Sequence, residues 1–85
     1  MATNFELRQV DAVMYDDEWM WSDSFYLSEF SAEDGKEKSA FLAEFESCGF
    51  TFDAETMEVV SEQDDLILVD KKTEQPLFAA VWVDM

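Results

Sequence analysis

Residues 15–30 read YDDEWMWSDSFYLSEF, and this stretch decides the first half of the fold. Three consecutive acids, Asp16, Asp17 and Glu18, predict a hairpin turn between two β-prone segments. In the segment that follows, apolar and polar residues alternate over much of the length. One face of this strand collects Trp19, Trp21, Phe25 and Leu27. The other face collects Ser22, Ser24, Tyr26 and Ser28. Successive side chains of a strand point to opposite faces, so we expect the first set to be buried and the second to face water.

Outward from this hairpin, the pattern predicts five strands. The first hairpin joins Asn4–Tyr15 to Trp19–Phe30, and the second half of the chain holds three short β-prone runs, Met57–Glu62, Leu66–Lys71 and Leu77–Val83. Two polar segments separate these three runs from one another, residues 63–65 and residues 73–76.

A single helix is predicted over about residues 35–48. Asp34 followed by Glu37 has the spacing of a capping box, and Gly49 stands where a left-handed residue ends a helix. The apolar stripe at helical spacing comprises Phe41, Leu42, Phe45 and Cys48. We therefore expect Cys48 to be a buried thiol. The chain is predicted to be one α+β domain over residues 1–85: a small antiparallel sheet of about five strands (ββαβββ) with one helix packed on a face.

Charge is the most unusual property of the composition. Twenty-one acidic residues stand against five basic ones with no histidine, giving a formal net charge of −16, yet 48% of the residues are apolar. The acids are spread over the whole chain rather than gathered in a tail. Such a chain can fold around a core while remaining strongly anionic, and the self-repulsion it tolerates favours a cationic partner.

Two local arrangements of charge are expected to destabilise the folded state. Glu44 and Glu46 lie near the helix C-terminus, where the macrodipole favours cations. If residues 16–18 form a three-residue loop, Asp11 faces Asp23 across the hairpin, and directly opposed like charges are destabilising.

Several classes of function are disfavoured by what the chain lacks. Without histidine it cannot build Ser/His/Asp or Cys/His catalytic sets, and two glycines cannot form a phosphate-cradling loop. We expect no enzyme and no cofactor. One cysteine cannot supply a zinc tetrad. The acidic turns could attract Ca²⁺ or Mg²⁺ weakly, but they lack EF-hand spacing, and no dedicated metal site is predicted.

The sequence also predicts a cytoplasmic protein. The amino terminus MATNFELRQV lacks the basic start and apolar run of a secretory signal, and the composition supports neither membrane binding nor direct nucleic-acid binding. For a phage-encoded protein, the compartment would be the host cytoplasm. Monomer and weak homodimer both stay open, because sheet edges invite pairing while like charge opposes it.

A partner-binding surface is predicted from acids on turns and strands, together with Met20 and Tyr26 on the wet face of the second strand. The predicted contact residues are Asp16, Asp17, Glu18, Met20, Asp23, Tyr26, Glu29, Glu58, Glu62, Asp64 and Asp65.

In size, acidity and the absence of catalytic motifs, the chain resembles the small acidic inhibitor proteins of phages and mobile elements. This class includes anti-CRISPR proteins and DNA mimics such as the uracil-DNA glycosylase inhibitor. The segments NFELRQVDAV, AFLAEFESCGFTF and KKTEQPLFAAVWV also look like parts of small phage-encoded proteins. No residue correspondence to the glycosylase inhibitor's acidic binding strand is present.

The resemblance implies a non-catalytic inhibitor that binds the basic nucleic-acid-binding groove of a host defence protein, such as a CRISPR effector subunit. Three alternatives stay open: an adaptor or subunit that docks on a basic partner, a halophilic domain, and a divalent-cation-binding domain.

Overall fold

The computed structural model describes residues 2–83, apart from the side chain of Ser22, which lay on the predicted wet face and is outside the described part. The elements, in chain order, are β1 (Ala2–Tyr15), β2 (Glu18–Glu33), α1 (Glu37–Ser47), β3 (Met57–Glu62), β4 (Asp65–Asp70) and β5 (Pro76–Val83). The strands form one antiparallel sheet in the order β2-β1-β5-β4-β3. The predicted α+β class, with an antiparallel sheet and one helix, is confirmed. The strand order had not been predicted, β2 runs three residues further than expected, and the helix begins later than residue 35.

The helix lies between β2 and β3 in the chain, which are the two edges of the sheet, and it covers one face on the way. Phe41 and Phe45 of α1 are fully buried there. They join a core built from alternate residues of the central strands, comprising Phe5, Leu7, Leu66, Leu68, Phe78 and Ala80. We call this covered side the helix face. The predicted stripe of α1 is therefore correct at Phe41 and Phe45, with Leu42 half-buried beside them.

The helix N-terminus differs from the prediction. The residue in the N-cap position is Lys36, and it makes no side-chain capping bond, so the predicted capping box does not form. Instead, the Lys36 amide donates to the Glu33 carbonyl at 2.9 Å, which closes the turn that leaves β2. Glu37 still lies in the first turn, where a negative charge meets the positive end of the helix dipole.

The helix ends at Ser47, one residue before the predicted Cys48, and Gly49 has the left-handed conformation predicted for it, with φ of +98°. The Gly49 amide donates to the Glu46 carbonyl at 3.0 Å and the Phe50 amide to the Phe45 carbonyl at 3.4 Å. These two bonds make a Schellman motif, and the Phe50 ring stacks on Phe45 with 5.2 Å between centroids. The glycine thus turns the chain so that Phe50 can enter the core.

Replacing Gly49 tests this termination directly. A Cβ at this position meets no atom within 4 Å, so the cost of Gly49→Ala is that of the left-handed backbone alone. We expect a loss of about 1–2 kcal/mol in the free energy of unfolding, measured by chemical denaturation. Gly49→Asn is the control and should lose less, because asparagine tolerates this conformation better. Equal stability of Gly49→Ala and the parent would contradict the assignment.

The prediction for Cys48 is wrong, because its side chain is exposed. Cys48 follows the last helical residue, and the chain turns there, so the helical period no longer points it at the sheet. Its sulfur lies 3.4 Å from the Ser28 hydroxyl. That hydroxyl also donates to the Glu44 carboxylate at 2.7 Å, which gives this unfavourably placed acid a hydrogen-bond partner.

The β1–β2 hairpin closes through a two-residue turn rather than the three-residue loop expected. Asp16 and Asp17 have φ of +51° and +63°, as a type I′ turn requires, and Tyr15 pairs with Glu18. A bulge at residue 22 then adds one residue to β2. Asp11 consequently does face Asp23, as predicted, although the register arises from the bulge and not from the loop.

Two bulges in β2, at residues 22 and 27, break the alternation predicted for it. Trp21 pairs with Ala12 and packs on the face of the sheet that the helix does not cover. Phe25 pairs with Gln9 on the helix-face side and is 70% exposed. The prediction that Phe25 is buried is therefore wrong. Each bulge changes which face the following residues occupy, and a strict two-residue period cannot reveal it.

The second face of the sheet has a smaller core of its own, comprising Val10, Ile67, Val69 and Ala79. Trp21 packs against this cluster although β2 is separated from β4 by two strands. The outer half of the hairpin curls across the second face, where Trp19 and Trp21 line one depression together with Ile67 of β4 and Pro76 of β5. This is possible because β1 pairs with β5 only through residues 4–9, and residues 10–15 continue beyond that pairing.

Candidate protein-binding groove

The curled hairpin and the β3–β4 edge enclose a groove of about 400 Å³ on the second face. Its buried or half-buried lining residues are apolar and form the floor: Trp19, Val60, Ile67, Val69 and Pro76. Its exposed lining residues are all acidic and form the rim: Asp17, Glu18, Glu58, Glu62 and Glu74. We call this feature the acidic groove.

One wall of the acidic groove follows from the alternation of edge strand β3. Glu58, Val60 and Glu62 are two residues apart and therefore point to the same face. They pair with Val69, Ile67 and Asp65 of β4, respectively. The valine joins the floor and the two carboxylates extend above it, about 13 Å apart along the strand.

The opposite wall is the tip of the β1–β2 hairpin. The type I′ turn presents Asp17 and Glu18, and the neighbouring Trp19 anchors the tip. The indole Nε1–H of Trp19 donates to the Thr73 carbonyl oxygen at 2.8 Å, across 54 residues of sequence. This bond connects the hairpin to the β4–β5 turn and sets the width of the groove.

The β4–β5 turn is itself organised by Asp70. Its carboxylate accepts bonds from the Lys72 amide at 2.9 Å and the Thr73 amide at 3.0 Å. The hydrogen bonds from the Thr73 and Lys72 amides hold the pKa of the Asp70 carboxyl below its ordinary value. The Glu74 amide in turn donates to the Asp70 carbonyl at 2.7 Å, and Glu74 has φ of +64°. This turn places the Glu74 carboxylate at the rim.

The Trp19 anchor can be tested by Trp19→Phe, which keeps an aromatic ring but removes the indole donor. We expect a loss of about 1 kcal/mol in the free energy of unfolding, together with faster amide hydrogen exchange at the hairpin tip. Trp21→Phe is the matched control, since it leaves the bond from Trp19 to Thr73 in place. The anchor would be excluded if both variants exchanged equally at residues 14–19.

The acidic groove unites four of the predicted contact residues, Asp17, Glu18, Glu58 and Glu62. Asp16 precedes them in the turn and is exposed. Met20 is exposed on the helix-face side of the hairpin, whereas Tyr26 pairs with Arg8 on the second face. Met20 and Tyr26 thus do not share a face, contrary to the prediction, because the bulge at residue 22 lies between them.

The other predicted contact residues do not line the acidic groove, although Asp65 pairs with Glu62 and lines an adjoining depression with Glu18 and Trp19. Asp64 and Asp65 line a depression near Lys38, and the Asp65 carboxylate accepts the Trp82 amide at 2.9 Å. Asp23 faces Asp11 in the hairpin. Glu29 belongs to a polar group on the second face with Glu6, Arg8 and Tyr26.

Arg8 and Tyr26 organise that polar group. The Arg8 guanidinium lies 3.4 Å from the Glu6 carboxylate and 5.9 Å from the centre of the Tyr26 ring. Partial burial and the charges of Glu29 and Glu6 raise the pKa of the Tyr26 phenol above its ordinary value.

Sequence reasoning missed six of the ten residues that line the acidic groove: Trp19, Val60, Ile67, Val69, Glu74 and Pro76. Glu74 lies in a polar loop far from the hairpin in sequence, and no local pattern relates it to Asp17. Trp19 was predicted to be simple core, but it is half-buried and serves as both floor and anchor. A hydrogen bond from an indole N–H to a distant turn does not depend on the spacing of residues along the chain, so no sequence pattern predicts it.

The arrangement suits a cation carried on an aliphatic stem. Lys and Arg side chains place their methylenes on apolar surface and keep the charged head at a polar edge. An apolar floor inside a carboxylate rim provides both environments. Among residues 2–83, no three His, Cys, Asp or Glu side chains come together in a way that could hold a metal ion.

Within the described part of the chain, no helix is long and apolar enough to cross a membrane. Comparison of the chain with protein-family models, with curated proteins and with solved structures found no match.

Proposed function

We propose that this protein is a non-catalytic inhibitor that occupies the basic nucleic-acid-binding groove of another protein by mimicking nucleic acid. The acidic groove carries this proposal: five carboxylates surround an apolar floor on one face of the sheet. The partner class implied by the resemblance is a nucleic-acid-binding protein of a host defence system, such as a CRISPR effector subunit.

The excess of carboxylates supports a partner-facing role. Five basic residues can neutralise at most five of the twenty-one acids pairwise, which leaves sixteen without an internal counter-charge. One of the basic side chains, Lys71, donates to the Ala54 carbonyl at 2.5 Å. A basic groove evolved to bind phosphates would be attracted to such a surface at long range.

The arrangement of the acids supports mimicry rather than solvation alone. Alternate residues of a strand repeat every 6.6–6.8 Å or so, and β3 uses this period to place acid, valine and acid in one row. A solvating coat needs no apolar floor between its charges. An interface does, because short-range fit comes from buried apolar contacts while charges mainly steer the encounter.

Affinity capture tests the proposal. The chain is immobilised and exposed to a lysate of a candidate host at low salt, and bound proteins are eluted with a salt gradient or with duplex DNA. We expect the retained proteins to be nucleic-acid-binding proteins that DNA releases. If the retained proteins stay bound at saturating DNA, groove mimicry is wrong.

A further inference from the structure

The outer half of the hairpin has an exposed apolar surface on the side opposite the acidic groove. Four large side chains are more than half exposed there: Val13 at 61%, Tyr15 at 66%, Met20 at 53% and Phe25 at 70%. We call these residues, with Asp11 and Asp23, the outer hairpin face.

The strand register places all six on one face. Val13 pairs with Met20, Asp11 with Asp23 and Gln9 with Phe25, and Tyr15 lies two residues beyond Val13. The partner of Tyr15 is Glu18, which stands at the hairpin tip and also lines the acidic groove. Directly opposed residues of antiparallel strands share a face, and every second pair lies on the same side. The helix covers the continuation of this face from Leu27 to Ala32, where β2 contacts the core and Glu44. The helix therefore stops short of Phe25.

The composition of this surface is that of an interface. Aromatic residues and methionine are enriched at protein–protein contacts, and the free energy of binding concentrates in such side chains. The two aspartates sit among them, beside a depression of about 370 Å³ lined in part by Asp11, Asp23 and Phe25. Their direct opposition disfavours the isolated hairpin, and a cation placed between them would remove that cost.

The charge of the chain argues against a second copy as the occupant. Face-to-face contact of two outer hairpin faces would bring four aspartates together between two chains of formal charge −16. Apolar contact with a cationic partner avoids this repulsion. The occupant must supply apolar side chains around one or two guanidinium or ammonium groups.

We infer that the outer hairpin face is a second interaction surface, which binds a protein segment that presents arginine flanked by apolar side chains to Asp11 and Asp23. This surface lies on the opposite side of the hairpin from the acidic groove, and the inference does not rest on the proposed function. It requires only that the hairpin be exposed as the structure shows.

The test uses the ¹⁵N-labelled full chain and synthetic peptides in about 0.15 M NaCl, where surface charges are screened beyond about 8 Å. The probe is a serine heptapeptide with leucine at both ends and arginine at the third and fifth positions, so that all four side chains share a face when extended. The first control peptide replaces leucine by serine, and the second replaces arginine by glutamate.

We expect amide shifts concentrated at residues 11–15 and 20–25, with the leucine–arginine peptide binding about fivefold or more tightly than the serine–arginine control. The glutamate peptide should not bind. Two double variants should weaken binding of the leucine–arginine peptide to the level of the serine–arginine control. They are Met20→Ser/Phe25→Ser and Asp11→Asn/Asp23→Asn. Both change exposed residues, and the dispersion of their spectra reports whether they remain folded.

Three results would overturn the inference. The first is an absence of shifts up to about 5 mM peptide. The second is a shift pattern spread over all the acids or centred on Glu58, Glu62 and Glu74. The third is a dimer of the chain alone in sedimentation velocity that Met20→Ser/Phe25→Ser dissociates, because a second copy would then be the occupant. The matched variant Glu46→Gln/Glu55→Gln removes the same number of charges away from both surfaces, and it should bind the peptide as the parent does.

Discussion

Phe45→Ala should destabilise the fold by about 3–5 kcal/mol, the range for removing a buried phenylalanine ring. Phe45 is 1% exposed, stacks on Phe50, and meets the edge of Phe78 at 4.9 Å between centroids. It thus joins the helix to β5 and to the segment after Gly49. Domains are typically stable by about 5–15 kcal/mol, so this loss should remove a large share of the free energy of unfolding and lower the urea midpoint markedly.

The matched control is Phe25→Ala, which removes the same ring from a site that is 70% exposed. We expect its free energy of unfolding to stay within about 0.5 kcal/mol of the parent. Urea denaturation followed by circular dichroism measures both variants. If the two losses were equal, the placement of Phe45 in the core and Phe25 outside it would be contradicted.

Neutralising four of the five rim carboxylates of the acidic groove, a change we call rim neutralisation, should slow association with a captured basic partner by about tenfold or more at low salt. The variant carries four substitutions, Asp17→Asn, Glu58→Gln, Glu62→Gln and Glu74→Gln. Asparagine suits the left-handed turn position of Asp17, and all four side chains are exposed, so the fold should be retained. Surface-sensor kinetics at several salt concentrations gives the association rate and its salt dependence.

The control variant removes the same number of charges elsewhere, through Glu33→Gln, Glu37→Gln, Glu46→Gln and Glu55→Gln. Both variants have the same formal charge, so a purely long-range effect would slow association equally. We expect the control to keep most of the parent rate, because its carboxylates do not line the acidic groove. Equal losses in the two variants would show that net charge matters and the position of the charges does not.

The local elements of this fold could be predicted from the sequence because their determinants are local. The helical spacing of Phe41 and Phe45, the left-handed Gly49 and the alternation in Glu58, Val60 and Glu62 are readable within a few residues. The opposition of Asp11 and Asp23 was also predicted. Its cause was mistaken, since a shorter turn and a bulge give the same register as a longer turn without one.

The acidic groove could be predicted only in part, because it depends on tertiary contacts. The acids of the hairpin turn and of β3 were identified as contact residues, but their meeting across the second face requires the hairpin to curl. That curl depends on a bulge at residue 22 and on the bond from Trp19 to Thr73. Phe25 and Cys48 were misplaced for related reasons, as a bulge and a helix end interrupt the periods that would bury them.

The most direct test of the central claim, that the acidic surface replaces nucleic acid in a basic groove, is a three-component binding measurement. The captured partner is mixed with fluorescently labelled duplex DNA and increasing amounts of the chain, and sedimentation velocity follows the labelled DNA. We expect the chain to displace the DNA completely, and the rim-neutralised variant to need a higher concentration for this than the control variant. A stable complex of partner, DNA and chain, with the DNA affinity unchanged, would contradict it.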